Sequence, residues 1–337
     1  MNLSIAIVGL PNVGKSTLFS ALTKREVKIS PIPFSTIDPN KAQVFVPDER
    51  LDQLAKLNPQ SKVQPAIIEF VDVAGLIKNA HKGAGLGNQF LAQIRECQLI
   101  LQVLRGFDKG IENVLGKINP QEEAEIVNLE LLMKDLQTLE KILQKLEKEK
   151  DKEKLPLLQK IKENLEKGVA IRDLNLEEKE KEMIKDYQFL SQKPILYLLN
   201  SSSKESFSFP FIDLCLDLKE ELEIGQFSEK ELKELGIKSN LDLVIKACYN
   251  KLDLVTFYTL AGKKETRAWP LKRGENILKA AGKIHSQFEK EFKRAEVINW
   301  KELIKIGSFE EAKKLGKIKI VGKDYQVQDG DVIEIKI

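Results

Sequence analysis

Hydrophobic residues recur along this chain in two rhythms. Short apolar runs, several rich in branched side chains, fall at residues 3–8, 66–73, 99–104, 194–199 and 211–216, and a more polar run at 41–46 suits a sheet edge. Runs of this length predict strands buried on both faces, as in a parallel sheet. Helical spacing lies between them, beginning with residues 15–22. Strands alternating with helices predict an α/β sheet wound with right-handed crossovers, whose ligands gather at the carboxyl ends of the strands.

A second rhythm fills the middle of the chain. Ile126, Leu129, Leu132, Met133, Leu136, Leu139, Leu143 and Leu146 recur three or four residues apart. The charged run 147–154 interrupts them, and Leu155, Leu158, Ile161 and Leu165 resume the spacing. This predicts two antiparallel helices with a charged tip. The seam is narrow, which favours coiled-coil-like packing that projects from the domain over a pair of helices covering the sheet with a broad apolar face. Helical spacing over 228–254 closes the first domain. A strand signal at 255–260, a helix over 280–293 and short strands at 317–321 and 332–337, flanking the turn Gln328-Asp329-Gly330-Asp331, then predict a small α+β module.

Composition narrows the class. The 337 residues suit two or three domains, and 31% charged with 42% hydrophobic residues describes a soluble globular protein. The sequence has neither an apolar run of membrane-spanning length nor the layout of a signal peptide, so a cytoplasmic protein is expected. Cys97, Cys215 and Cys248 lie far apart in apolar surroundings without metal-ligand spacing, and are expected to be reduced core residues. Residues 251–337 carry 19 Lys+Arg against 13 Asp+Glu, and residues 1–250 carry 35 against 38. That mildly basic C-terminal region suits a nucleic-acid surface as well as a plain solvated face.

Candidate chemistry begins directly after the first predicted strand. Gly9-Leu10-Pro11-Asn12-Val13-Gly14-Lys15-Ser16-Thr17 matches G-x-x-x-x-G-K-[ST] between a strand and a helix, the context that a phosphate-binding loop requires. Gly9 and Gly14 let the backbone curl around a phosphate. Lys15 supplies positive charge to the outer phosphates, and Ser16 can place its hydroxyl on Mg²⁺. In the proline-containing loop 32–40, Thr36 could complete the Mg²⁺ shell, and Asp72, ending its strand, would hold the metal. Gly75 could offer its backbone N–H to a γ-phosphate, and residues 82–88 carry three glycines, a segment cheap to move. Each of these alone reads as a cap or turn residue. In this order they describe a P-loop NTPase with two nucleotide-sensing segments.

Two positions qualify that picture. Leu76 stands where Ras-like enzymes orient water with a glutamine. Either His81, the nearest alternative, positions the water, or a partner completes the site and His81 is an ordinary loop residue. Ser203 stands where guanine-selective relatives carry an aspartate, so strong guanine selectivity is not expected, while Asn200 can still reach a purine edge. Asn12 could help coordinate a monovalent cation such as K⁺ beside the phosphates.

The blocks GLPNVGKST, PFSTIDPN, DVAGL followed by GAGLGNQFL, KPILYLLN, AGKKETRAWPLKRG, AAGKIHSQFEKEFKRAEVI and GKDYQVQDGDVIEI, with the hairpin between them, resemble the YchF family of Obg-like ATPases over essentially the whole chain. The resemblance implies a discontinuous Obg-type G domain at 1–125 and 190–250, a Ras-like P-loop fold. It also implies a coiled-coil insertion at 126–189 and a TGS domain of β-grasp fold at 251–337. It further implies Mg²⁺-dependent hydrolysis of ATP in preference to GTP, binding to the ribosome through its large subunit and rRNA, and a role as a translation-associated nucleotide switch. By position, Asn12, Val13, Gly14, Lys15, Ser16 and Thr17 would carry the phosphates, Ser16 and Thr36 the metal, and Asn200 with Ser201 the base. His81 matches a histidine proposed to assist hydrolysis. The expected partners are therefore ATP or GTP and the ribosome, with no membrane, the chain acting as a monomer. Members often read Asn-x-x-Glu where this chain has Ser203, and many carry a cysteine where it has Ser35, so neither ATP selectivity nor redox control carries over by position. The competing expectation is a GTPase, or a nucleotide-gated RNA-binding protein whose hydrolysis is vestigial.

Overall fold

The computed structural model describes residues 3–25, 40–73, 88–108, 113–149, 153–202, 209–261 and 264–337. In chain order the elements up to the centre are β1 Leu3–Val8, α1 Lys15–Thr23, β2 Lys41–Phe45, α2 Glu49–Lys56, β3 Lys62–Gln64, β4 Ile67–Asp72, α3 Asn88–Glu96, β5 Leu99–Arg105, α4 Pro120–Glu149, α5 Lys154–Glu166 and α6 Glu178–Ile184. They continue with β6 Ile195–Asn200, β7 Leu214–Leu216, α7 Leu218–Ile224, α8 Glu229–Leu235, α9 Leu241–Lys251, β8 Leu254–Ala261, β9 Glu265–Lys272, α10 Ile277–Ile284, α11 Ser286–Lys290, β10 Arg294–Asn299, α12 Trp300–Ile306, α13 Phe309–Lys314, β11 Lys319–Val321 and β12 Asp331–Lys336. Two compact units result: Met1–Val44 with Glu69–Val244, and Phe45–Ile68 with Ile245–Ile337.

The first unit is built on a sheet of order β2-β4-β1-β5-β6-β7. The pairs β1/β5, β5/β6 and β6/β7 are parallel, and every residue of β5 is buried, as the apolar runs predict. The P-loop, Asp72 and Asn200 therefore lie at or just beyond strand carboxyl ends, where an open α/β sheet places ligands.

The hairpin forms, with two differences from the predicted seam. Helix α4 is continuous from Pro120, six residues before the expected boundary, because Ala124 in its early turns packs with Leu104 and Leu199 of the sheet. Leu139, Leu143, Leu146, Leu158, Ile161 and Leu165 form the seam core, joined by Ile171, Ile184 and Phe189. Leu129 and Met133 are 56% and 50% exposed, so the seam runs along Leu132, Leu136 and Leu139 instead. Asp135, wholly buried on α4, accepts the backbone N–H groups of Leu190 and Ser191 at 2.8 and 2.7 Å, which fixes the chain's return from the hairpin.

The second unit is a mixed sheet of order β11-β10-β12-β8-β9-β3. Helix α10 lies against it through Ile277, Ala280 and Ala281, which pack with Val255, Phe257, Leu271 and Val297 in a β-grasp arrangement. This unit takes in residues 45–68, which the sequence pattern assigns to the first domain, because β3 pairs in parallel with β9 through Lys62, Val63 and Gln64. The helix expected over 280–293 is divided: His285 is extended, at φ −162° and ψ 140°, and its Nδ1 caps α11 by accepting from the N–H of Gln287. Cys97 and Cys248 are buried as expected, but Cys215 is exposed, since β7 is the edge strand and the residue faces away from the core. Among the described residues no helix is long and apolar enough to cross a membrane.

Candidate functional site

The loop after β1 is shaped by two close approaches. Gly9, at φ 151°, passes so near β5 that a Cβ would overlap the carbonyl oxygen of Val103. Gly14, at φ 110°, is the N-cap of α1, and a Cβ there would overlap the side-chain amide of Asn200. Asn12 also has a left-handed backbone, at φ 63°. Helix α1 begins without a side-chain cap and with no acidic residue in its first turn, so its N-terminal N–H groups and dipole suit an anion.

Lys15 stands at that helix end and donates to the carbonyl of Leu10 at 2.7 Å. Burial lowers its pKa to about 8, while the carboxylates of Asp72 and Glu123 pull in the opposite direction. Burial also raises the pKa of Asp72, opposed by Lys15, and its Oδ1 is buried without a hydrogen-bond partner. A buried carboxylate oxygen without a partner, within electrostatic reach of the P-loop lysine, fits a hard, oxygen-seeking cation such as Mg²⁺.

Beside the loop opens a cleft of about 410 Å³ walled by Asn12, Gly14, Lys15, Ser16 and Thr17, and on the far side by Phe107, Asn200, Ser202, Asp217, Lys219 and Leu222. Asn200 braces the two walls: its Nδ2 donates to the carbonyl of Val13 at 2.9 Å, and its Oδ1 accepts the N–H of Leu218 at 3.1 Å. One amide hydrogen and one lone pair remain for a base. Ser201 is placed differently from the expectation: its Oγ donates to the carbonyl of Gly106 at 2.9 Å behind the wall, and Ser202 lines the cleft. Gly9 and Val13 shape the loop from behind, Val13 being buried. Thr36, Gly75 and His81, with Ser35, Leu76 and Ser203, lie outside the described residues.

Relatives cover this whole arrangement. A family model described as "50S ribosome-binding GTPase" matches residues 4–160, and the YchF-GTPase_C model, described as "Protein of unknown function (DUF933)", matches residues 254–337. The chain is 41% identical over 364 residues to the ribosome-binding ATPase YchF of Bacillus subtilis (strain 168), covering 100% of this chain and 99% of that protein. With the protein of the same name from Escherichia coli O157:H7 it shares 41% identity over 358 residues, covering 99% and 98%. This chain belongs to the YchF family. The solved structure of the Schizosaccharomyces pombe YchF GTPase matches it with a TM-score of 0.87 at 34% identity, covering 99% of this chain and 98% of that one.

In this YchF member several site residues escape the sequence motifs. Phe107 is held at the cleft by Arg105, whose Nε donates to the carbonyl of Phe107 at 3.0 Å and whose guanidinium lies 4.7 Å from the ring centre. Asp217 caps α7 by accepting from the N–H groups of Lys219 and Glu220. Its signal was a polar residue directly after a predicted strand. Glu123, in the first turns of α4, is 1% exposed and accepts the N–H of Arg105 at 2.9 Å. Burial raises its pKa to about 7, against the pull of the Arg105 N–H and guanidinium and of Lys15. Nothing in its spacing distinguishes it from the charged residues around it.

Proposed function

We propose that the chain is an Mg²⁺-dependent P-loop ATPase, with GTP as a second substrate, that binds the ribosome through its large subunit and acts as a nucleotide switch in translation. The observation that carries the enzymatic part is half-buried Lys15 at the α1 N-terminus, with the Asp72 carboxylate near enough to act on its charge, beside a cleft of nucleotide size. The ribosomal part is supported by the names that the Bacillus subtilis and Escherichia coli relatives carry.

In this reading the N–H groups of residues 12–17 surround the phosphates, and Lys15 exchanges the carbonyl of Leu10 for a phosphate oxygen. Half-desolvated, its charge acts through a low dielectric and is worth more to the phosphate than a surface lysine's. Ser16, Thr36 and Asp72 would hold Mg²⁺, which supplies neutralisation of charge on the β- and γ-phosphates. Gly75 offers a backbone N–H to the γ-phosphate, and His81 orients the attacking water. Asn12 takes a monovalent cation such as K⁺. Asn200 reads the purine with its remaining amide hydrogen, and Phe107 supplies an apolar face beside it.

Calorimetric titration with non-hydrolysable ATP and GTP analogues, in Mg²⁺ buffer with K⁺ or Na⁺, tests the first part. Tighter ATP binding is expected; equal affinities would remove the preference for ATP, and tighter GTP binding would make the chain a GTPase instead. Phosphate release with and without 50S subunits tests the second. Stimulation by the subunits is expected, as is slower turnover at unchanged ATP affinity in His81→Ala. Release that ignores the subunits would leave a nucleotide-gated binding protein instead.

A further inference from the structure

A carboxylate stands in the far wall of the nucleotide cleft. Asp217, half-buried at the end of β7, lines the cleft with Asn200, Ser202 and Lys219. Its backbone is tied to the end of β6 on both sides: the carbonyl of Leu216 accepts the N–H of Ser201 at 2.9 Å, and the N–H of Leu218 donates to Oδ1 of Asn200 at 3.1 Å. The side chain is held as well. Oδ1 accepts the N–H groups of Lys219 and Glu220 at 2.9 and 3.2 Å, and Oδ2 has no hydrogen-bond partner among the described residues.

The hydrogen-bonding capacity left on these two neighbours differs in sign. Asn200, with one amide hydrogen spent on the carbonyl of Val13, has a second to donate. Asp217 has a charged acceptor. Purines differ along the edge that such a pair would meet: adenine presents the N7 acceptor and its exocyclic amine, a donor, whereas guanine presents two acceptors, N7 and O6. A donor from Asn200 and a carboxylate from Asp217 match adenine. Guanine would set O6 against Oδ2, leaving two acceptors facing each other without a proton between them.

The other polar groups of that wall do not reverse the choice. The Ser202 hydroxyl donates or accepts and tolerates either base. Lys219 is a donor that could serve O6, but its side chain is 69% exposed and its Nζ lies 3.7 Å from the Glu223 carboxylate. We propose that Asp217 is the specificity-determining residue for adenine: its Oδ2 accepts the exocyclic amine while Asn200 donates to N7, so that the end of β7 supplies the acid that Ser203 does not. This rests on the ATPase reading.

Calorimetric titration of the parent chain and of Asp217→Asn with adenylyl and guanylyl imidodiphosphate in Mg²⁺ buffer tests it. Asparagine caps a helix as well as aspartate does, so the thermal midpoint should hold while an amide N–H₂ replaces Oδ2. Affinity for the ATP analogue is expected to fall and that for the GTP analogue to rise, each by about tenfold, as a charge-assisted bond is lost to one base and a donor gained for the other. Asp217→Ser, which keeps a cap without a second oxygen, should lose the preference for ATP. An analogue carrying unsubstituted purine, without the exocyclic amine, should bind the parent about tenfold more weakly than the ATP analogue and the serine variant equally. A parental ATP-to-GTP ratio in both variants, or an equal loss of both analogues, would overturn the assignment alone and leave Asp217 a helix cap or a ribose contact. A parent chain without preference for the ATP analogue would remove the ATP reading and the role of Asp217 together.

Discussion

Replacing Glu123 with glutamine separates an electrostatic role from a packing role. The side chain is 1% exposed, and one oxygen accepts the Arg105 N–H at 2.9 Å, a bond that the amide oxygen of glutamine can also accept at nearly equal volume. Folding moves the carboxyl from its ordinary 4.5 up to about 7, burial outweighing the Arg105 N–H, the guanidinium and Lys15. A carboxyl with a raised folded-state pKa is a stability loss on the alkaline side. Below pH 4.5 both states are protonated and nothing is lost. As pH rises the unfolded chain releases its proton first, and the loss becomes complete above about pH 7. At roughly 1.4 kcal/mol per pH unit the full loss is about 3 kcal/mol.

Glu123→Gln should therefore match the parent in acid and exceed it in mildly alkaline buffer by up to about 3 kcal/mol, reduced by about 1 kcal/mol if the new amide N–H₂ goes unpaired. In a unit of this size that raises the thermal midpoint by roughly 4–10 °C. Melting curves of nucleotide-free parent and variant across that pH range provide the assay. Parallel midpoints at every pH would refute the reasoning, because they would mean that Glu123 titrates as in the unfolded chain; a less stable variant at alkaline pH would mean that the carboxylate's attractions outweigh its burial.

Three further changes probe the loop and the hairpin. Lys15→Ala should weaken ATP-analogue binding by about a hundredfold, the worth of about 3 kcal/mol of charge-assisted bonding, with little change in melting; retained affinity in calorimetry would refute the loop's assignment. Gly14→Ala should lower stability by about 1–3 kcal/mol for its backbone strain alone and weaken binding further by displacing Asn200, and a wild-type urea midpoint would contradict that. Asp135→Ala leaves the N–H groups of Leu190 and Ser191 without their buried acceptor and should cost about 3–5 kcal/mol in urea unfolding, while nucleotide affinity per folded molecule stays unchanged.

The strands of the first sheet were legible because burial on both faces leaves no polar alternation to interpret, and β5 is the extreme case. Strands β9 and β10 were not. In β9 the inward positions include Thr266 and Ala268, small or hydroxylated residues, with Pro270 beyond them, so no apolar run is visible. In β10 an acidic residue, Glu296, sits at a buried position, paired with Lys313 at 2.8 Å and interrupting Ala295, Val297 and Ile298. The assignment of residues 45–68 to the wrong unit has a different cause. The parallel pairing of β3 with β9 joins segments about two hundred residues apart, and no local rule of periodicity carries such a contact.

For the site, the distinction is between residues demanded by backbone geometry and residues demanded by a neighbour. Gly9 and Gly14 announce themselves because a Cβ cannot fit, and Lys15 because its position after them is fixed. Asn200 was legible as a residue after a strand, but not as the brace between Val13 and Leu218, which makes it a determinant of loop shape before it is a reader of bases. Glu123 and Arg105 were invisible for the complementary reason. Their function lies in being buried beside one another and near Lys15, and a sequence shows that a residue is charged but not that it is dry. In the proposed ATPase, the Glu123 carboxylate in the first turns of the helical hairpin would lower the net positive charge that Lys15 presents to a phosphate. Removing that charge should tighten ATP-analogue binding in alkaline buffer, where Glu123 is ionised, and leave it unaltered in acid.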